Sequence, residues 1–175
     1  MLSRDDIRGL VQQYGSDIIE SPGMYIERGH LQHGRVSTFA HSLRVACLAV
    51  WLADRLHLMG RVDLPSLIRA GLLHDYFLYD WHDRDDGSHR LHGLTHGRRA
   101  MLQAERDFGL NPIERDSIHH HMFPLTPVPP KYMEGYLVNM ADKISATAET
   151  LSPQRFGWGG AGVAEGNPGR RRHLS

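Results

Sequence analysis

The chain has 175 residues in which 20 Lys and Arg balance 20 Asp and Glu, so its size fits one domain with a real core and its charge supplies no pull toward nucleic acid or an anionic membrane. A single cysteine, Cys47, excludes an internal disulfide framework, and no apolar run reaches the length of a membrane span, which together predict a cytoplasmic protein acting on a small molecule. The departure from ordinary composition is histidine: there are 13, most of them between positions 74 and 121.

Apolar spacing is helical almost throughout and no run alternates with period two, so the expected fold class is all-α, a compact helical bundle. A short first helix is predicted from about Ser3 to Gln13, with Asp5 and Asp6 in its first turn. From Thr38 to about Leu58 two apolar stripes, Ala46, Val50, Ala53 and Leu56 beside His41, Val45, Leu48 and Leu52, describe a central helix, with Trp51 and the methionines assigned to the core. Asp63 caps a third helix with Pro65 in its first turn, and that helix ends near His74 and Asp75.

The polar stretch "YDWHDRDDGSHRLHGLT" is expected to be a loop, followed by a helix from His96 to Phe108 that Gly109 stops. "NPIE" then starts another: Asn111 as cap, Pro112 first in the helix, Glu114 completing a capping box, with "SIHHHM" further along. Four prolines in "PLTPVPP" break the chain, and from Lys131 a long helix places Met133, Tyr136, Leu137, Met140, Ile144 and Leu151 on one side. From Ser152 the sequence is rich in Gly and Arg without periodicity, so residues 1–151 form the expected domain and 152–175 a disordered tail in which "RRR" is solvated.

The chemistry lies in polar groups set among apolar ones. A lone buried carboxylate costs several kcal/mol, so Asp75 in "LIRAGLLHDYF" and Asp142 in "LVNMADKISA" each need a cation or donors beside them. His41, the His74–Asp75 pair, His96, the run His119 to His121 and Asp142 fall on five helical segments, and a bundle can bring such side chains to one place. Neutral imidazole with ionised carboxylate is a ligand set for zinc, iron, manganese or nickel.

That order of residues, carried by "FAHSLRVA", "LLHDYF", "THGRRA", "HHHMFPL" and "MADKIS", resembles the HD-domain superfamily of metal-dependent phosphohydrolases over roughly residues 35–150. The resemblance implies that His41, His74, Asp75 and Asp142 bind one metal, and that in dinuclear versions Asp75 bridges to a second held by His96 and by His121 or His120. His119 is the outlier, because a helix turns about 100° per residue and three consecutive side chains cannot face one point.

One or two divalent ions (Mn, Fe, Zn, Ni or Mg) would then activate a water to hydrolyse a phosphate ester of a small metabolite or nucleotide. Asp75 would serve as ligand and orienter of the nucleophile, and Lys143 and Arg44 are candidates to neutralise substrate phosphate. The absence of "GYP" after the fourth histidine argues against a cyclic-dinucleotide phosphodiesterase of that subtype. Two other classes stay open: a diiron oxygenase with the same ligand order, for which Tyr25 and Glu27 would stand upstream of the first ligand, and a nucleotide-binding sensor without turnover. The loop histidines His82, His89 and His92 and the acidic residues among them read as solvated or as lining the entrance, and the polarity of "MYIERGHLQHGRVS" likewise fits either a solvated segment or a lid supplying Glu27, His30, His33 or Arg35. Whether the protein forms homo-oligomers is open.

Overall fold

The computed structural model describes residues 1–29, 31–33, 36–76 and 89–151. Among them the elements run α1 (Arg4–Ile19), α2 (Pro22–Glu27), β1 (Leu31–His33), β2 (Val36–Ser37), α3 (Thr38–Arg55), α4 (Leu64–Leu73), α5 (His89–Phe108), α6 (Pro112–His120) and α7 (Met133–Leu151). The fold is all-α, with one minimal antiparallel hairpin in which Leu31 faces Ser37 and His33 faces Val36.

Local chemistry sets the helix starts. Ser3 and Asp6 form a reciprocal capping box on α1, Ser37 accepts from Ala40 N at 3.2 Å to open α3, and Asp63 accepts from Ser66 N at 2.9 Å to open α4. At α6 Asn111 accepts from Glu114 N at 2.9 Å while the Glu114 carboxylate accepts from Asn111 N at 3.0 Å. Glu114 also takes Arg69 Nε at 2.9 Å, so one buried carboxylate ties the start of α6 to α4. After α5 the chain reverses at Gly109, whose φ of +62° is the left-handed conformation that a residue without Cβ adopts at least cost.

α3 is the axis of the bundle. Val45, Ala46, Ala49, Val50 and Ala53 are buried, and α4 and α7 pack along it. α1 closes the outer side of α4 through Ile7, Val11 and Ile18. The α3–α4 crossing is close: a Cβ on Gly71 would lie 2.8 Å from Ala46 Cα, so only glycine lets the backbones meet there. A second close approach joins α5 to α6, where a Cβ on Gly97 would lie 2.6 Å from His119 O. Both crossings fall within three residues of a histidine or aspartate singled out above.

Four expectations are revised. α1 continues past Gln13 to Ile19, because Gly15 is buried against Leu72 and the turns beyond it, around Ile18, add core contact. The segment read as lid or solvated loop carries α2 and the hairpin, where no secondary structure was assigned, and α5 begins at His89 rather than His96. On α7 the buried side is Leu137, Val138, Ala141, Ser145 and Glu149, while Met133, Tyr136, Met140, Ile144 and Leu151 are exposed; of the predicted stripe Leu137 alone is buried. Small residues there let α7 lie close to α3 and α6, so the largest apolar side chains end up on the far face. Trp51 is half-buried against the core, and the tail expected from Ser152 lies outside the described residues.

Candidate metal centre

Five helices supply the site. His41 comes from the second turn of α3, His74 is the C-cap residue of α4 with Asp75 directly after it, His96 lies in α5, His121 is the C-cap residue of α6, and Asp142 lies in α7. All are buried except Asp142, which is half-buried. Among the described residues they form two groups whose nitrogen and oxygen atoms lie within 4.8 Å of one another: His41, His74 and Asp142, and Asp75, His96 and His121. Asp75 joins them, with Oδ2 3.4 Å from His74 Nε2 and Oδ1 3.6 Å from both His96 Nε2 and His121 Nε2.

The ring orientations are set from behind. The final carbonyls of a helix have no intrahelical N–H, and in both α4 and α6 a histidine supplies the missing donor. His74 Nδ1 donates to Gly71 O at 2.9 Å, and His121 Nδ1 donates to Ile118 O at 2.7 Å. A carbonyl can only accept, so each Nδ1 carries hydrogen and each Nε2 is the nitrogen turned toward the site, where a metal can take the place of a proton. His41 Nδ1 lies 3.0 Å and 3.2 Å from the two oxygens of Glu149, a buried carboxylate paired with Arg44, which fixes the same tautomer.

Imidazole Nε2 atoms therefore face one another and a carboxylate oxygen across the centre. His41 Nε2 lies 3.2 Å from Asp142 Oδ1, and His96 Nε2 lies 2.9 Å from His121 Nε2. Each approach needs a hydrogen or a metal ion between the two atoms. His74 Nε2, fully buried, finds no hydrogen-bond partner among the described residues. A divalent ion in either group would satisfy that group's atoms together, and imidazole nitrogen with carboxylate oxygen is a donor set such ions take, so the residues present fit a metal.

The electrostatics agree. Burial disfavours charge on His41, yet its hydrogen bonds to Asp142 and Glu149 outweigh that and raise its pKa to about 10. His74 is also raised, the Asp75 and Asp142 charges overcoming burial. His121 moves the other way, to about 4, because burial and the neighbouring His74 both oppose a second proton. Asp75 and Asp142 are held below the usual carboxylate range, burial being outweighed by the imidazoles around them.

A family model described as the HD domain matches residues 38–147. The chain belongs to the HD-domain family. HD domains are typically metal-dependent hydrolases, and the matched span contains all six converging residues of this one. No curated protein and no solved structure gives a match.

Other residues singled out in the sequence sit elsewhere. His120 is turned from the centre of this HD domain, its Nδ1 3.0 Å from Asp116 Oδ1, and His119 stacks on it with ring centroids 4.3 Å apart. Arg44 does not face the centre as a phosphate ligand would: its guanidinium donates to Glu149. Lys143 Nζ donates to Phe123 O at 2.8 Å and Asn139 Oδ1 at 2.7 Å, while Asn139 Nδ2 donates to His121 O and Phe123 O. Lys143 and Asn139 thus clamp the end of α6, and with it His121, onto α7.

Glu27 is buried at the end of α2 and Tyr25 is exposed. His33 belongs to β1, and His89 and His92 to the first turn of α5. His30, Arg35, His82, Asp80, Asp83, Asp85, Asp86 and the tail arginines lie outside the described residues. Sequence reasoning missed Glu149 and Asn139. The available signal was spacing: Glu149 follows Asp142 by two helical turns and Asn139 precedes it by one, on neighbouring faces of α7.

Proposed function

We propose that the protein is a metal-dependent phosphohydrolase that cleaves a phosphate ester of a small metabolite or nucleotide. His41, His74, Asp75 and Asp142 would hold one divalent ion, and Asp75, His96 and His121 a second, with Asp75 shared between them. Ions bound there supply Lewis acidity, lowering the pKa of a coordinated water toward neutrality and polarising the phosphoryl group.

The protein's own groups do the rest. Asp75 and Asp142, kept ionised below the usual carboxylate range, supply fixed negative charge and can accept a hydrogen bond from the attacking water, which sets its direction. The Nδ1 donors of His74 and His121 to helix-end carbonyls keep both rings from turning. The cations Arg44 and Lys143 act as supports, the first behind His41 and the second behind His121, instead of meeting substrate phosphate.

The observation that carries this reading is the set of inward-facing imidazole Nε2 atoms gathered against carboxylate oxygens. Purified protein should contain manganese, iron, zinc, nickel or another divalent ion by elemental analysis. With that metal restored it should release phosphate or cleave a diester in a panel of nucleotide and sugar phosphates. Absence of bound metal in both groups would sink the proposal, and oxygen uptake by an iron-loaded sample without phosphate release would replace it with an oxidative one.

A further inference from the structure

His74 and His121 are oriented by backbone carbonyls because each ends a helix. His41 has no such recourse. It stands inside α3, where the carbonyl three residues back belongs to the continuous helical ladder, so its Nδ1–H needs an acceptor from another element. Glu149 of α7 is that acceptor: 2% exposed, with both oxygens within 3.2 Å of Nδ1. Arg44, on α3 one turn beyond His41, donates to Oε1 of the same carboxylate, so the helix that carries the imidazole also anchors the group that orients it.

We infer that Glu149, anchored by Arg44, is a positioning residue that fixes the His41 tautomer and ring plane so that Nε2 faces the cation beside Asp142. The inference rests on the metal-binding part of the function proposed above. It assigns α7 two tasks at two-turn spacing: Asp142 faces the centre directly, and Glu149 acts through His41. A carboxylate behind an imidazole also raises its basicity toward a metal, and loss of such a partner typically weakens metal affinity about 10- to 100-fold.

The competing explanation is that Glu149 only balances the buried charge of Arg44. Two double variants separate the explanations, since both delete that ion pair and one keeps a side-chain acceptor for His41 while the other does not: Arg44→Met with Glu149→Gln, and Arg44→Met with Glu149→Leu. Zn2+ and Co2+ affinities measured by chelator competition should be about 10- to 100-fold weaker in the Leu variant than in the Gln variant. The Co2+ absorption spectrum should change only in the Leu variant, and melting curves of the chelated proteins should report whether each is folded. In Zn2+-loaded wild-type protein with 15N-labelled imidazoles, His41 should show a slowly exchanging Nδ1–H. This measurement depends on no variant folding.

Equal affinities in the two double variants, or a His41 without that proton, would overturn the inference while wild-type metal binding stands. A wild-type protein that binds neither Zn2+ nor Co2+ would overturn the metal reading along with it.

Discussion

A histidine at a helix end can satisfy an orphan carbonyl with Nδ1 and so fix where its Nε2 points, and the site uses this device twice. Its address is specific to a single residue. One step back along the chain, His120 bonds Asp116 and faces away. His121→Ala should therefore abolish binding at the Asp75, His96 and His121 group and lower any phosphatase kcat/KM by about 100-fold or more, whereas His120→Ala should retain metal stoichiometry. Elemental analysis and steady-state kinetics on the two variants check this.

The same residues predict how the metal-free fold responds to pH. His121, depressed to about 4, favours the native state fully above its ordinary pKa of 6.5 and loses that contribution as pH falls toward 4, where Asp75 and Asp142 begin to add to the loss. His41, raised to about 10, favours the native state below 6.5 and loses its contribution as pH climbs toward 10, with His74 shifted in the same sense. In chelator, the urea midpoint should peak near pH 6.5 and fall on both sides. Saturating metal replaces the His41 proton, so the alkaline fall should flatten; a midpoint that rises steadily from pH ~6.5 to ~9 in chelator would contradict the charge arrangement.

At the scale of elements, two glycines decide how near the helices bring their ligands. Alanine at Gly97 would place a Cβ 2.6 Å from His119 O, a backbone atom that cannot swing aside, so α5 must move off α6 and His96 away from His121. Gly97→Ala should cost about 1–3 kcal/mol in chemical denaturation and weaken the metal at that group more than the one at His41. Gly60→Ala, with nothing within 4 Å of the added Cβ, serves as the control that should change neither.

What the sequence could reveal follows the same division between local and distant causes. The starts of α4 and α6 were legible because Asp63 and Asn111 act on backbone three residues away. The convergence of the His and Asp residues was legible because motif order survives when the packing is unknown. The face of α7 was not, since hydrophobicity alone points to Met133, Tyr136 and Met140, while the packed side is chosen by how closely Ala141 and Ser145 let α3 and α6 approach. Glu149 was hidden for a related reason: its partners, His41 and Arg44, are more than 100 residues away along the chain.

For the molecule as a whole, the centre acts as a tie. The hydrophobic core already joins α1, α3, α4 and α7, but among the described residues α5 meets the bundle chiefly through α6, and the end of α6 reaches α7 through Asn139 and Lys143 as well as packing. Ligands drawn from α3, α7 and the ends of α4 and α6, together with α5, mean that a bound ion links the helices least secured by the core to the one at its axis. An ion that binds the native chain and not the unfolded one stabilises by RT ln(1 + [L]/Kd), about 2.7 kcal/mol at a hundredfold excess over Kd, which for a chain of this size corresponds to a rise of about 5–10 °C in Tm. Thermal melts with chelator and with added Mn2+ or Zn2+ should show that rise. The shift should vanish in Asp75→Ala, because the Asp75 carboxylate lies within 3.6 Å of imidazole nitrogens from both groups. A full shift in Asp75→Ala would mean that the stabilising ion sits elsewhere, and the six converging residues would then need another explanation for why so many polar side chains are buried together.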